Sequence, residues 1–218
     1  MVEPAAKRVA KRVLFTLNKP LAKVRMRRAA KSAARPVALE IGGRRPRDGW
    51  LVTDVSAVTR NYLDCTAGWP FEDGALSYVY ADNVIEHVSL AGGRNFFAEA
   101  HRCLAPGGRI RVVTPDIGRH VQQYLAGAAG VQGDVGQRYK SFGIVVEHPV
   151  DLVRIPIGEF RHYEGYAYDV EAMVSELQRA GFTQIVEHEP GESDDPKLAD
   201  LEQRREAGQA QLVIEATR

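Results

Sequence analysis

Cysteine is scarce. Cys65 and Cys103 are the only two in 218 residues, which excludes a disulfide framework, leaves no cysteine-based metal spacing, and suits a reducing interior such as the cytoplasm. Long apolar runs are missing as well: nowhere do about 18 apolar residues follow one another, the length that a membrane-crossing helix requires. An excess of one charge is missing over the whole chain, with 29 Lys and Arg against 28 Asp and Glu, and no nucleic-acid partner is expected. A G-x-G turn after the first apolar strand is also absent, and only Gly42-Gly43 stands there.

The balance of charge hides an asymmetry. Residues 1–35 hold 11 Lys and Arg against the single Glu3, which leaves 18 basic and 27 acidic residues for the rest. A basic arm is joined to an acidic body. Within the arm Ala6, Ala10, Val13, Leu14, Leu17, Leu21 and Val24 fall on one helical stripe, with Lys7, Arg8, Lys11, Arg12 and Lys23 mostly opposite. Pro20 predicts a kink or a division. Three readings stay open for this helix: packing on the acidic body, contact with an anionic membrane surface or polyanion, and a transit peptide.

The body is organised around Trp69 to Asp116. Leu76 to Tyr80 predicts a strand; Phe96, Phe97, Ala100, Cys103 and Leu104 recur at helical spacing; Arg109 to Val113 predicts a second strand after the helix stop Pro106-Gly107-Gly108. Such a βαβ unit has parallel strands, and chemistry gathers at their carboxyl ends. Before it, Val37 to Ile41 and Leu51 to Thr53 predict two strands whose connectors are too short for a crossover helix. One sheet face then lacks helical cover, which the N-terminal helix or a second subunit would supply. A further strand is expected near Tyr62-Leu63. After Asp116, Ile117, Val121, Tyr124 and Leu125 predict a helix, and the Gly-, Pro-, Tyr- and His-rich stretch up to 166 shows no period, as in functional lids. Asp169 predicts the cap of a last helix with Met173 and Leu177 inward, followed by an antiparallel pair of strands, Thr183 to Val186 and Gln211 to Ile214, and a mobile charged loop between them from Glu189 to Gln209.

WPFEDGALSYVYADNVIEHV followed by FAEAHRCLAPGGRIRVVTPD resembles the central motifs of class I S-adenosylmethionine (SAM)-dependent methyltransferases. The nearest pattern is the short methyltransferase type 11 group, in which LPF, D-x-S-x-D, EH-[LV] and L-x-PGG recur in that order. The resemblance covers about residues 37 to 188. It implies a Rossmann-like α/β fold with a mostly parallel seven-stranded sheet, an antiparallel last strand and shortened first crossover helices. The organisation expected is an arm at 1–35 and a methyltransferase domain at 36–218, with a lid-like insertion at about 127–166.

The resemblance places the cofactor SAM against Glu40, Gly42 and Gly43 after the first strand, Asp54 at the ribose, Asp64 and Cys65 at the adenine, and Asp82, Asn83 and His87 after the central strand. It implies a sugar O-methyltransferase, such as one acting on precursors of a methylmannose-type polysaccharide, with a small-molecule or oligosaccharide acceptor. A hydroxyl acceptor needs a base for its proton. His162 and His148, in the segment expected over the site, are the candidates, with Asp116 to orient one of them. Carboxylates and histidines gathered there could also hold Mg²⁺, although no ligand spacing points to it. Two other functions stay open: methylation of another small metabolite, and a binding module that has lost SAM, which the missing G-x-G suggests. A homodimer and peripheral membrane contact through the arm are further expectations.

Overall fold

The computed structural model describes residues 5–32, 37–202 and 210–218. Among them one sheet of six strands is laid down in the order β2-β1-β3-β4-β6-β5. The strands are β1 (Val37–Ile41), β2 (Trp50–Thr53), β3 (Leu76–Asp82), β4 (Leu104–Pro115), β5 (Thr183–Glu187) and β6 (Gln211–Thr217). β1 pairs in parallel with β2 and β3, and β3 in parallel with β4. β6 runs antiparallel between β4 and β5. This is a Rossmann-like methyltransferase fold with one strand fewer than the seven expected. The segment at Tyr62-Leu63 reaches the sheet only through an isolated bridge between Asp54 and Tyr62, because the chain is tied there to the arm rather than to a neighbouring strand.

Helices cover one face of the sheet. Leu39, Val79, Ile110, Val112 and Ile214 meet Phe96, Phe97 and Cys103 of α2 (Leu90–Cys103), Met173 and Leu177 of α7 (Val170–Arg179), and Met26 and Ala30 of α1 (Ala5–Ser32) in a single core. The helix α2 begins where Ser89 Oγ accepts from Gly92 N, and α7 where Asp169 accepts from Ala172 N; these caps satisfy donors that a first turn leaves open. Trp69 is fixed on α2 by a bond from its N–H to Glu99 and one from Arg102 to its carbonyl.

The arm supplies the cover that the missing crossovers leave out, but with an unexpected face. Among the described side chains of α1, Ala22, Met26 and Ala30 are buried, while Val13, Leu14, Leu17, Leu21 and Val24 of the predicted stripe face solvent. Asn18 Nδ2 donates to the Ala57 and Thr59 carbonyls, Tyr62 N donates to the Ala22 carbonyl, and Phe15 packs edge-on against Tyr62. Three small or flexible apolar side chains let the helix backbone lie close to the body, which a row of leucines would prevent. Pro20 lies inside α1 and does not divide it; it removes one intrahelical bond, and the ties at Asn18 and Ala22 on either side hold the turn. The side chains of Ala6, Lys7, Arg8 and Lys11 lie outside the described residues.

Segment 189–202 covers the other sheet face, and it packs where a mobile loop was expected. Leu198 and Leu201 join Tyr80, Val113 and Val213 in a second core. Arg111, fully buried, is held by Glu202 at 2.8 Å and by Glu215. Each charge there is paired, as burial of an ion requires. Residues 203–209 of that loop lie outside the described residues.

A third cluster, Val131, Val135, Tyr139, Val146, Leu152 and Ile155 with Ala210, belongs to the stretch without a period. Here α3 (Ile117–Leu125) is followed by α4 (Ala128–Gln132), α5 (Asp134–Ser141) and α6 (Asp151–Gly158). These helices are too short for a 3.6-residue pattern to show in sequence. In α3 the apolar residues Val121, Tyr124 and Leu125 that marked the helix are exposed, and the buried side chain is His120, because α6 packs on that side.

Candidate active site

The strand order reverses between β1 and β3, and a sheet that does so opens a crevice at the carboxyl ends on either side of that point. A cleft of about 730 Å³ lies there, within the range of ligand pockets. Its floor is Glu40 to Gly43 after β1, Asp82 and Asn83 after β3, and Pro115 after β4; its wall is His120, Arg138, Tyr139, Phe160 and His162.

The turn after β1 is shaped from within. Gly42 has φ +79°, and a Cβ there would overlap Val84; one at Gly43 would stand 2.5 Å from Val52 Cγ1 and 2.7 Å from Glu40 Oε1. Glycine is therefore required at both positions by packing alone. Arg44, Arg45 and Arg47 follow into the cleft. Arg47 Nε donates to Glu40 Oε2 at 2.6 Å, and its guanidinium lies 5.5 Å from the centre of the Tyr80 ring. Asn83, at φ +51°, is held by its N–H on the Val113 carbonyl at 2.9 Å.

Two histidines from distant segments meet at the cleft. His87 lies in the turn Ile85–His87 and His162 in the turn His162–Glu164; their ring centres are 4.8 Å apart, edge to face. Gly165 makes the approach close, since a Cβ there would overlap the Glu86 carbonyl, and Tyr166 N donates to the Val88 carbonyl at 3.0 Å. Phe160 lies 6.2 Å from His162 and 5.7 Å from Tyr139, which stacks parallel to His120 at 6.2 Å. Burial, then repulsion from His87 and His120, pushes His162 down to about 4. Burial also lowers His87, and takes His120 down to about 4 against a bond to Leu152. Near neutrality these rings are uncharged, and an uncharged imidazole can accept a proton or bind a metal.

Among the described residues, Glu86, His87 and His162 offer three ligand atoms within 4.8 Å of one another. Glu86 Oε2 also accepts from Thr114 Oγ1 at 3.2 Å. Two imidazoles and one carboxylate suit Zn²⁺, Mn²⁺ or Fe²⁺ better than the Mg²⁺ considered from sequence, which favours oxygen ligands.

The cleft thus brings together Glu40, Gly42, Gly43, Asp82, Asn83, His87 and His162. It does not bring in the others. Asp54 accepts from Val55 N at 2.7 Å, and exposed Asp64 from Thr66 Oγ1 at 2.7 Å. Cys65 is buried, and its thiol is pushed up to about 11 by burial and then by Asp64. His148 is exposed and its N–H donates to Asp151 at 3.0 Å, in front of α6. Asp116 is buried, caps α3 through Arg119 N and pairs with Arg119 Nε at 3.2 Å. Sequence reasoning passed over His120, Arg138, Tyr139 and Phe160; the only signal for them was the aromatic and histidine content of a stretch without a period.

The lining suits SAM in two respects. The buried acceptors Asn83 Oδ1 and Gln211 Oε1 have no hydrogen-bond partner among the described residues, as a bound ammonium or hydroxyl group would provide. Arg44 and Arg45 offer cations to a carboxylate.

Residues 49–112 match the family model described as "Methyltransferase domain". No curated protein matches the chain. Among solved structures it is similar to the CurJ carbon methyltransferase (16% identity over 91% of this chain and 54% of that one, TM-score 0.47). It is also similar to a SAM-dependent methyltransferase from Thermotoga maritima (14%, 97% and 96%, 0.47). A third is Haemonchus contortus phosphoethanolamine N-methyltransferase 2 in complex with SAM (12%, 94% and 52%, 0.47). The chain spans about half the length of the first and third. At these scores the fold assignment rests on the sheet order itself. The sheet order is Rossmann-like, and the family match covers less than a third of the chain, so together they mark a methyltransferase-like domain whose reaction is a separate question.

Proposed function

We propose that the protein is an O-methyltransferase that moves the methyl group of SAM to a hydroxyl of a saccharide or glycosylated metabolite. The observation that carries this reading is the uncharged His162 beside His87 in a cleft walled by Tyr139 and Phe160. Aromatic faces suit the apolar side of a sugar ring, and a hydroxyl, unlike a neutral amine, is a weak nucleophile unless its proton leaves as the methyl group arrives.

When bound, SAM supplies the electrophilic methyl group. The chain's own residues align and deprotonate. Asn83 and Gln211 offer acceptors to the cofactor's polar groups, Arg44 and Arg45 meet its carboxylate, and the carboxyl ends of β1 and β3 set its place. His162 takes the acceptor's proton at a ring nitrogen, and the helices of 127–166 act as a lid that keeps water away. Placing two reactants in line is itself worth several kcal/mol of the barrier. A homodimer belongs to this reading as a further proposal.

A second reading is a methyltransferase-like binding module. One observation favours it: Asp54 and Asp64 engage their own loops and do not line the cleft. The test is formation of S-adenosylhomocysteine from SAM with a panel of mono- and oligosaccharides, beside amine and thiol acceptors, with and without a chelator. Turnover confined to the saccharides supports the proposal, and turnover confined to amines overturns the acceptor class.

A further inference from the structure

The outward side of α1 is used by neither the core nor the cleft. Val9, Val13, Leu14, Leu17, Leu21 and Val24 are each between 45% and 65% exposed. At about 3.6 residues per turn they form one continuous stripe, opposite the inward line of Ala22, Met26 and Ala30. The helix therefore has two apolar faces, and among the described residues only one is covered. A stripe of six large apolar side chains on a helix fixed to a folded body marks a contact site.

The charge around the stripe selects the partner. α1 contains no acidic residue, and its basic side chains include exposed Arg27, Arg28 and Lys31, which continue the outward side past Val24. A second copy of the same helix would bring cation against cation. An anionic lipid surface gives each component its own place: leucine and valine at the acyl boundary, arginine and lysine at the phosphates. We infer that α1 lies flat on an anionic bilayer through this stripe and holds the protein there as a peripheral enzyme. Asn18 ties the helix to the connector leaving the carboxyl end of β2, so the docked protein keeps the cleft's edge of the sheet near the lipid headgroups. The inference stands on α1 alone and does not depend on the acceptor.

The experiment is flotation of the full chain with vesicles of pure phosphatidylcholine and of phosphatidylcholine with phosphatidylglycerol, at low and high salt. Binding to the anionic vesicles about tenfold or more above the neutral ones, weakened by salt, is expected from several basic groups at the surface. The double variant Leu17→Glu, Leu21→Glu should lose that binding and keep the parent melting temperature and SAM affinity, since both side chains already lie in solvent. Equal binding to neutral and anionic vesicles, undiminished binding of the double variant, or a dimer in sedimentation that this variant dissociates would each overturn the inference.

Discussion

His162 shows how a side chain's role follows from what surrounds it. The ring comes to the cleft because Gly165 lets its segment lie against the Glu86 carbonyl, and burial keeps the ring uncharged. His162→Ala should lower turnover by about 10²- to 10⁴-fold, the usual worth of a positioned base, with SAM affinity nearly unchanged. In the parent, kcat should hold as pH falls through about 6.5, where an ordinary histidine charges, and drop only toward the lower value of this ring. His148→Ala should leave kcat close to the parent, because that ring is exposed and only its backbone caps α6. A single-turnover assay of both variants across pH decides this: loss of activity in His148→Ala with none in His162→Ala would reverse the assignment. His162 was readable in sequence as a candidate, and only slightly ahead of His148. What separates them, a glycine-mediated approach to a residue 75 positions earlier, has no local sequence signature.

At the scale of elements, periodicity located α1, α2, α3 and α7 but not the short α4 to α6, and for α1 and α3 it did not say which side meets the body. All six strands seen were expected within a few residues, because β-branched runs bounded by Gly, Pro and Asp are a strong local signal. In α1 and α3 the larger apolar side chains point to solvent and smaller or polar ones inward: Ala22, Met26 and Ala30 in the first, His120 in the second. A periodic pattern gives the stripe but not what lies against it, and in both helices the close-packed side is set by distant chain. A contrast of two variants measures this. Met26→Ala should cost about 2–5 kcal/mol, as truncation of a buried side chain does, whereas Leu17→Ala should stay within about 0.5 kcal/mol. Urea unfolding of the two checks it, and equal costs would mean that α1 is not seated on the body by its inward line.

For the whole molecule, acid sensitivity follows from His120 and His162, both held near 4 against about 6.5 when unfolded. The folded state resists their protonation and the unfolded state does not. Stability is thus full above the unfolded value and is lost as pH falls from about 6.5 toward about 4. Melting temperature measured between neutral pH and about 5, above the range where most carboxylates titrate, should fall steadily, and His120→Gln should flatten the slope. A flat profile in the parent would contradict the burial of these rings. The buried set Arg111, Glu202 and Glu215 escaped the sequence reading for the same reason as the His87–His162 pair: strands β4 and β6 and the loop before β6 meet only in the fold.

The central claim is that the cleft between the carboxyl ends of β1 and β3 binds SAM, and calorimetric titration of the full chain with SAM tests it most directly. One binding site per chain is expected. Asn83→Gly keeps the positive φ and removes the orphan acceptor, and should weaken binding by about tenfold, the loss of one hydrogen bond to a charged group. No binding heat in the parent, or full affinity in Asn83→Gly together with full affinity in a Gln211→Ala variant, would contradict the account.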